Sequence, residues 1–279
     1  MKKWDIVIKP KKSWTDFNIL EIFNYKDLIL LLVKRDFTTF YKQTILGPLW
    51  YIIQPLVNTI VFTVIFGNLA SISTNGTPPF IFYMAGTVAW GYFSVCLNNT
   101  SNTFVTNANL FGKVYFPRIV VPISIVLVSI FQFIIQFIIF ISFYFYFVSR
   151  GMDSYLDIKI LILPLLILQM AFVGLGFGLL ISALTSKYRD LTFAMTFLVQ
   201  IWMFATPVVY PFSIIPERYK VLASLNPMTS IIESFKHIFF NNSAIEFKHI
   251  MFGLIISVIV FIIGFLLFSR VEKDFMDTV

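Results

Sequence analysis

The sequence holds two histidines, His237 and His249, and one cysteine, Cys96. So few soft ligands, at these spacings, do not make a zinc site, which draws on about four N, S or O donors. One cysteine also excludes an intrachain disulfide, and in its apolar surroundings Cys96 reads as a small buried hydrophobe. No Asp-x-Asp pair occurs, so the carboxylate dyad or histidine base of a membrane glycosyl or acyl transferase is weakly represented. No Gly-x-x-x-x-Gly-Lys-[Ser/Thr] run is present to hold ATP as a P-loop does. The nearest glycine-rich piece, Gly174-Leu175-Gly176-Phe177-Gly178, lies in an apolar stretch, where small residues let helices approach closely. The remaining polar groups in apolar stretches are amides and hydroxyls, among them Gln54, Asn58, Asn98, Asn99, Gln132, Gln136, Gln169 and Gln200. Such groups hydrogen-bond between helices or line a polar path.

The elements that must position them follow from composition. Apolar residues make up 58% of the 279 and charged residues 13%, against roughly 45–50% and about 25% in soluble domains. Mean hydropathy is +0.85. From Gln43 to Gly112 there is no Lys, Arg, Asp or Glu. A soluble surface cannot be built from that interval, and disorder, collagen, a disulfide scaffold and a nucleic-acid-binding domain are excluded with it. The chain is expected to be an all-α integral membrane protein.

Windows of about 20 apolar residues predict six transmembrane helices, at 48–68, 80–104, 119–148, 158–184, 191–211 and 249–269, within one membrane unit 48–270. Of the 21 Lys and Arg, 15 fall on the side of the termini if both termini share a side. The positive-inside bias therefore puts both termini in the cytoplasm. The net charge of +7 is read the same way. Residues 1–24 and 271–279 are cytoplasmic tails, and the basic, polar start of the chain predicts a retained N-terminus without a cleavable signal.

Two segments are neither span nor ordinary loop. Residues 25–42 place Ile29, Leu32, Val33, Phe37, Phe40 and Tyr41 at helical spacing, with Lys26, Lys34, Thr38 and Lys42 on another face. This predicts an amphipathic interfacial helix, either an anchor or a participant in substrate handling, followed by a hinge up to residue 47. On the outer side, 212–247 contains Asn226-Pro227 as a helix start and a stripe of Ile231, Ile232, Phe235, Ile238 and Phe239. Two short re-entrant helices are expected there, before the last span. No predicted span carries an ionisable residue away from its ends, so a transporter of this kind would draw its energy from a partner.

Several local patterns stand in register with this topology: Asp36-Phe37-x-x-x-Tyr41-Lys42-Gln43-Thr44-Ile45-Leu46-Gly47-Pro48-Leu49-Trp50-Tyr51-Ile52-Ile53-Gln54-Pro55 at the first span, then Tyr188-Arg189-Asp190-Leu191 at the fifth. Phe204-x-x-Pro207-Val208-Val209-Tyr210-Pro211, Leu225-Asn226-Pro227-Met228 and Val271-Glu272-Lys273-Asp274-Phe275 follow. In this order, from about Asp36 to the tail, the chain resembles the permease subunit of polysaccharide-export ABC transporters, the type-2 exporters of O-antigen, capsule or teichoic acid. The resemblance implies a homodimer in a bacterial plasma membrane, paired with two copies of a cytoplasmic ATPase that bind ATP and Mg2+. This chain would hold no cofactor and bind no nucleic acid. The substrate implied is a glycan on a polyprenyl-pyrophosphate lipid, moved from the cytoplasmic to the outer leaflet between the two copies.

The resemblance also implies roles. Asn109, Phe111, Lys113, Tyr115 and Phe116 would form the main ATPase-coupling loop. Arg189 and Asp190 would make a second contact or brace the turn locally. Lys34, Arg35 and Lys42 would meet the lipid pyrophosphate or anionic membrane lipids, beside a hinge at Leu46 and Gly47 where the substrate enters. Trp50, Tyr51, Trp90, Tyr92, Trp202 and Phe204 would line the sugar path, since sugar faces pack on aromatic rings. The competing readings are an ABC permease for a drug or simple lipid, and a membrane enzyme of glycan assembly.

Overall fold

The computed structural model describes residues 19–42, 47–114, 116–154, 157–188, 190–241 and 247–274. Among these, every regular element is helical. In chain order they are α1 (Ile19–Asn24), α2 (Lys26–Lys42), α3 (Trp50–Phe62), α4 (Pro79–Ser101), α5 (Thr103–Thr106) and α6 (Ala108–Phe111). Then come α7 (Val120–Ser149), α8 (Leu163–Thr185), α9 (Leu191–Ala205), α10 (Glu217–Leu225), α11 (Pro227–Phe240) and α12 (Phe247–Asp274). α3 runs on through a π-helical turn, Thr63–Leu69, and a 3-10 turn, Ile158–Ile162, leads into α8.

Among the described residues, five stretches are long and apolar enough to cross a membrane: Trp50–Leu69, Pro79–Ser101, Val120–Ser149, Ile158–Thr185 and Ile250–Glu272. The fifth expected span is shorter than the sequence suggested. α9 ends at Ala205 after 15 residues, a length of ~22 Å against a hydrocarbon core of ~30 Å. Pro207 explains the stop, because a residue before proline is pushed out of helical backbone. Thr206 is accordingly extended, at φ −106° and ψ 147°.

α4 is the axis of the fold, packed against α3, α7, α8 and α11 and buried along most of its length. α8 lies between α4 and α12, and its glycine run is what lets it. A Cβ at Gly174 would stand 2.7 Å from Cys96 Cβ on α4, and one at Gly178 2.5 Å from Thr100 Cβ. A Cβ at Gly176, on the other side of the same run, would stand 2.8 Å from the backbone of Phe261 on α12. Packing, not phosphate binding, is thus the job of this run.

α2 docks its predicted apolar stripe on protein: Leu32 is buried, and the Phe37 ring lies 5.2 Å from that of Phe131 on α7. Lys34 and Arg35 stay exposed. Gly47, at φ +48°, adopts a left-handed backbone that suits glycine, and the turn Gly47–Leu49 carries the chain into α3. The α-helix begins at Trp50, so Pro48 belongs to that turn and does not open the helix.

At α11 the Asn226 side chain accepts from Met228 N–H at 3.1 Å and Pro227 takes the first helical position, the start its sequence predicts. The expected apolar stripe is present, yet α11 is buried on nearly every side. Glu233 and Lys236, the charged pair within it, are each 3% exposed.

Candidate functional site

Four helices bring polar side chains to one lateral groove, each at a spacing of four residues. α3 supplies Gln54 and Asn58, α4 supplies Trp90, Ser94 and Asn98, α7 supplies Gln132 and Gln136, and α9 supplies Thr196, Gln200 and Phe204. Residues four apart share one face of a helix, so each row points the same way. The groove encloses about 410 Å³. Gly91 leaves room for the Gln136 amide, whose Oε1 would be 3.3 Å from a Cβ there. A second cavity of about 380 Å³ shares Val95 and Gln132 with it and continues through Asn99, Asn102 and Tyr51 to Arg35 and Asp36. The two together form one uncharged polar path that ends at an ion pair, Arg35 Nε to Asp36 Oδ1 at 2.7 Å.

The amides are not holding the helices together. Asn98 donates to Ser94 at 3.2 Å, but no hydrogen bond within the described residues engages the side chains of Gln54, Asn58, Gln132, Gln136 or Gln200. Gln169 is the contrasting case, donating to Ser257 on α12 at 3.2 Å as an interhelical tie. Of the aromatics expected to line the path, Tyr51, Trp90 and Phe204 do so. Trp50, Tyr92 and Trp202 line neither cavity. Tyr92 is buried against Phe133, and Trp202 packs edge-on to Trp90, Phe93 and Phe177.

The loop after α4 is braced from within. Arg118 is 6% exposed; its N–H donates to Glu272 Oε1 at 2.8 Å and its Nη1 to the Glu272 carbonyl at 2.9 Å. Its guanidinium lies 5.3 Å from the Phe111 ring centre and 6.0 Å from that of Phe104, a cation–π arrangement. Phe104 stacks on Phe268 of α12, and Phe111 packs on Phe116. Phe111 and Phe116 are therefore core residues of the loop and do not stand out from it. Asn109, Gly112, Lys113 and Val114 are exposed. Asp190 is exposed at the start of α9. Leu46, Tyr115, Arg189 and the Lys42 side chain lie outside the described residues.

At the opposite end of the bundle, Lys236 Nζ donates to the carbonyls of Pro207 at 2.6 Å and Val208 at 3.2 Å, and sits 3.8 Å from the Phe82 ring centre. Glu233 Oε1 lies 3.9 Å from Nζ and accepts from Phe212 N–H at 3.3 Å. The pair thus pins the non-helical segment that follows α9. Burial pushes the Lys236 ammonium down to about 8 against the opposing pull of Glu233, and pushes the Glu233 carboxyl up. Sequence reasoning missed this pair and the Arg118–Glu272 tie. The signal for the first was Glu-x-x-Lys at i, i+3 within the expected helix; the second had none, its partners being 154 residues apart.

The sequence model of one protein family, described as ABC-2 type transporter, matches residues 27–240. An O-antigen export system permease protein RfbA from Klebsiella pneumoniae is 25% identical over 251 residues, 90% of this chain and 94% of that protein. A protein of the same name from Myxococcus xanthus is 24% identical over 264 residues, 94% of this chain and 98% of its own.

Proposed function

The chain belongs to the ABC-2 type transporter family, and on that premise we propose that it is the membrane permease of an ATP-driven exporter of lipid-linked polysaccharide. O-antigen is the substrate type, carried as its polyprenyl-pyrophosphate conjugate from the cytoplasmic to the outer leaflet of a bacterial inner membrane. The names of its relatives, O-antigen export system permease, support that substrate. The observation that carries the reading is the groove of unpaired amides and aromatic rings running along α3, α4, α7 and α9.

Unpaired amides facing hydrocarbon would each be costly. The groove is therefore closed by a second copy of the chain, with the apolar edges of α3 and α9 (Val57 and Ile60, Phe197 and Ile201) exposed beside it as the contact. In this arrangement all six apolar helices cross, α9 by joining the pinned segment after it, and α10 and α11 dip into the outer leaflet without crossing. Both termini are cytoplasmic, so the Arg118 end of the bundle faces the ATPase. The loop 107–116 is the main docking element: Asn109 and Lys113 make the contact while Phe111 and Phe116 hold the loop rigid, with Tyr115, Arg189 and Asp190 alongside. The lipid pyrophosphate enters near Lys34, Arg35, Lys42 and the Leu46-Gly47 hinge.

The test is co-expression with a cognate ABC ATPase subunit. The expected result is a stable complex that hydrolyses ATP while the isolated chain does not, and loss of surface glycan when the gene is deleted. Absence of any such complex, or unchanged surface glycan in the deletion, would sink the reading.

A further inference from the structure

Resting on that reading, we infer that the groove selects an uncharged, hydroxyl-rich glycan and disfavours acidic ones such as uronate- or phosphodiester-bearing polymers. The observation is the chemistry of the lining. Along both cavities the only Lys, Arg, Asp, Glu or His side chains among the described residues that line them are Arg35 and Asp36, at one end, and these neutralise each other at 2.7 Å. Beyond them the path offers Gln54, Asn58, Gln136 and Gln200, whose amides make no hydrogen bond within the described residues.

A carboxamide both donates and accepts, as a sugar hydroxyl does, so the two can pair in either sense and exchange partners as a chain slides. Trp90 and Phe204 add faces against which pyranose rings pack. An anionic repeat meets a different situation. Each carboxylate or phosphate drawn from water into a narrow path needs a cation or several donors at once to offset its lost hydration. Among the described residues that line the path beyond Arg35, no cation stands there for it. The pyrophosphate of the carrier lipid incurs that cost once per molecule, whereas an acidic polymer incurs it at every repeat. The helical spacing adds a second point. Because amides recur four residues apart on α3 (Gln54, Asn58) and α7 (Gln132, Gln136), about one per turn, with Asn98 on α4 and Gln200 on α9 across from them, a neutral chain finds replacement partners along the path.

The experiment uses the full permease with its own ATPase in two hosts deleted for their exporters. One host makes a neutral hexose polymer and the other a uronate-containing polymer on the same lipid carrier. Surface glycan relative to total glycan is read by antibody in each. The expected result is export of the neutral polymer at least about ten-fold better than the acidic one. Gln200→Lys and, separately, Asn58→Lys then place a cation in the groove and raise the acidic-to-neutral ratio. Folding of each variant is checked by continued protection of the buried thiol of Cys96. Equal export of the two polymers, or a ratio unmoved by both folded variants, overturns the selectivity inference and leaves the exporter reading standing. Export of neither polymer by an assembled complex that hydrolyses ATP overturns the exporter reading itself, and the inference with it.

Discussion

Lys236→Met is the most demanding test of how the bundle is held at the end opposite Arg118. The native ammonium is 3% exposed, bonded to three carbonyls at 2.6, 3.2 and 3.5 Å and 3.9 Å from Glu233. Methionine fills nearly the same volume but leaves the Pro207 and Val208 carbonyls without their donor and Glu233 as a buried acid without its cation. Breaking a buried pair by removing one partner costs about 3–5 kcal/mol. At about 2–4 °C per kcal/mol for a chain of this size, the expected fall in Tm is roughly 6–20 °C. The double variant Lys236→Met/Glu233→Gln removes the stranded acid and should recover part of that loss. Cys96, the single cysteine and fully buried between α4 and α8, provides the assay: a thiol-reactive dye reports its exposure as purified protein is heated in detergent. Lys220→Met, at the surface pair with Glu217, serves as control and should leave Tm nearly unchanged. A fall of less than about 2 °C for Lys236→Met, or no recovery in the double variant, would refute the view that this pair pins the segment after α9.

Gly178→Val should cost about 1–3 kcal/mol or block folding, since a Cβ there lies 2.5 Å from Thr100 Cβ; dye access to Cys96 at lower temperature measures it, and unaltered access would contradict the packing role of the run. Gly47→Ala, at φ +48°, should destabilise by about 1–2 kcal/mol, read by the same thermal assay. Lys113→Glu, on the exposed side of the loop, should weaken ATPase binding by about ten-fold with Tm unchanged, and titration of purified ATPase onto the permease in detergent would decide it.

Much of the fold was legible because hydrocarbon leaves few alternatives. Long apolar runs must be helical to satisfy their backbone, so the helices at 50–69, 79–101, 120–149, 158–185 and 250–272 lie close to the windows drawn from hydropathy. Asn226-Pro227 announced α11, and Gly174 to Gly178 announced a close helix approach, because capping and the lack of a Cβ are local effects. The candidate groove was half legible. The amides were visible as polar groups with two possible uses, and nothing local separates Gln169, which ties α8 to α12, from Gln136, which opens on the groove. Phe111 and Phe116 show the limit from the other side. An aromatic residue in a loop between helices has the same local signature whether it docks outward or packs inward, and here the Arg118 guanidinium and the α5–α7 region draw it in.

The sequence by itself determined membrane residence, the helical class, the register of the main spans and the lack of a P-loop, because each follows from composition or from neighbours along the chain. Tertiary structure alone decided which amides share one groove and which ring lies inward. It also decided that Glu233 and Lys236 bury together, and that Arg118 meets Glu272 across 154 residues. Those outcomes depend on which helix faces which, and desolvation and hydrogen bonding act only once the faces have met.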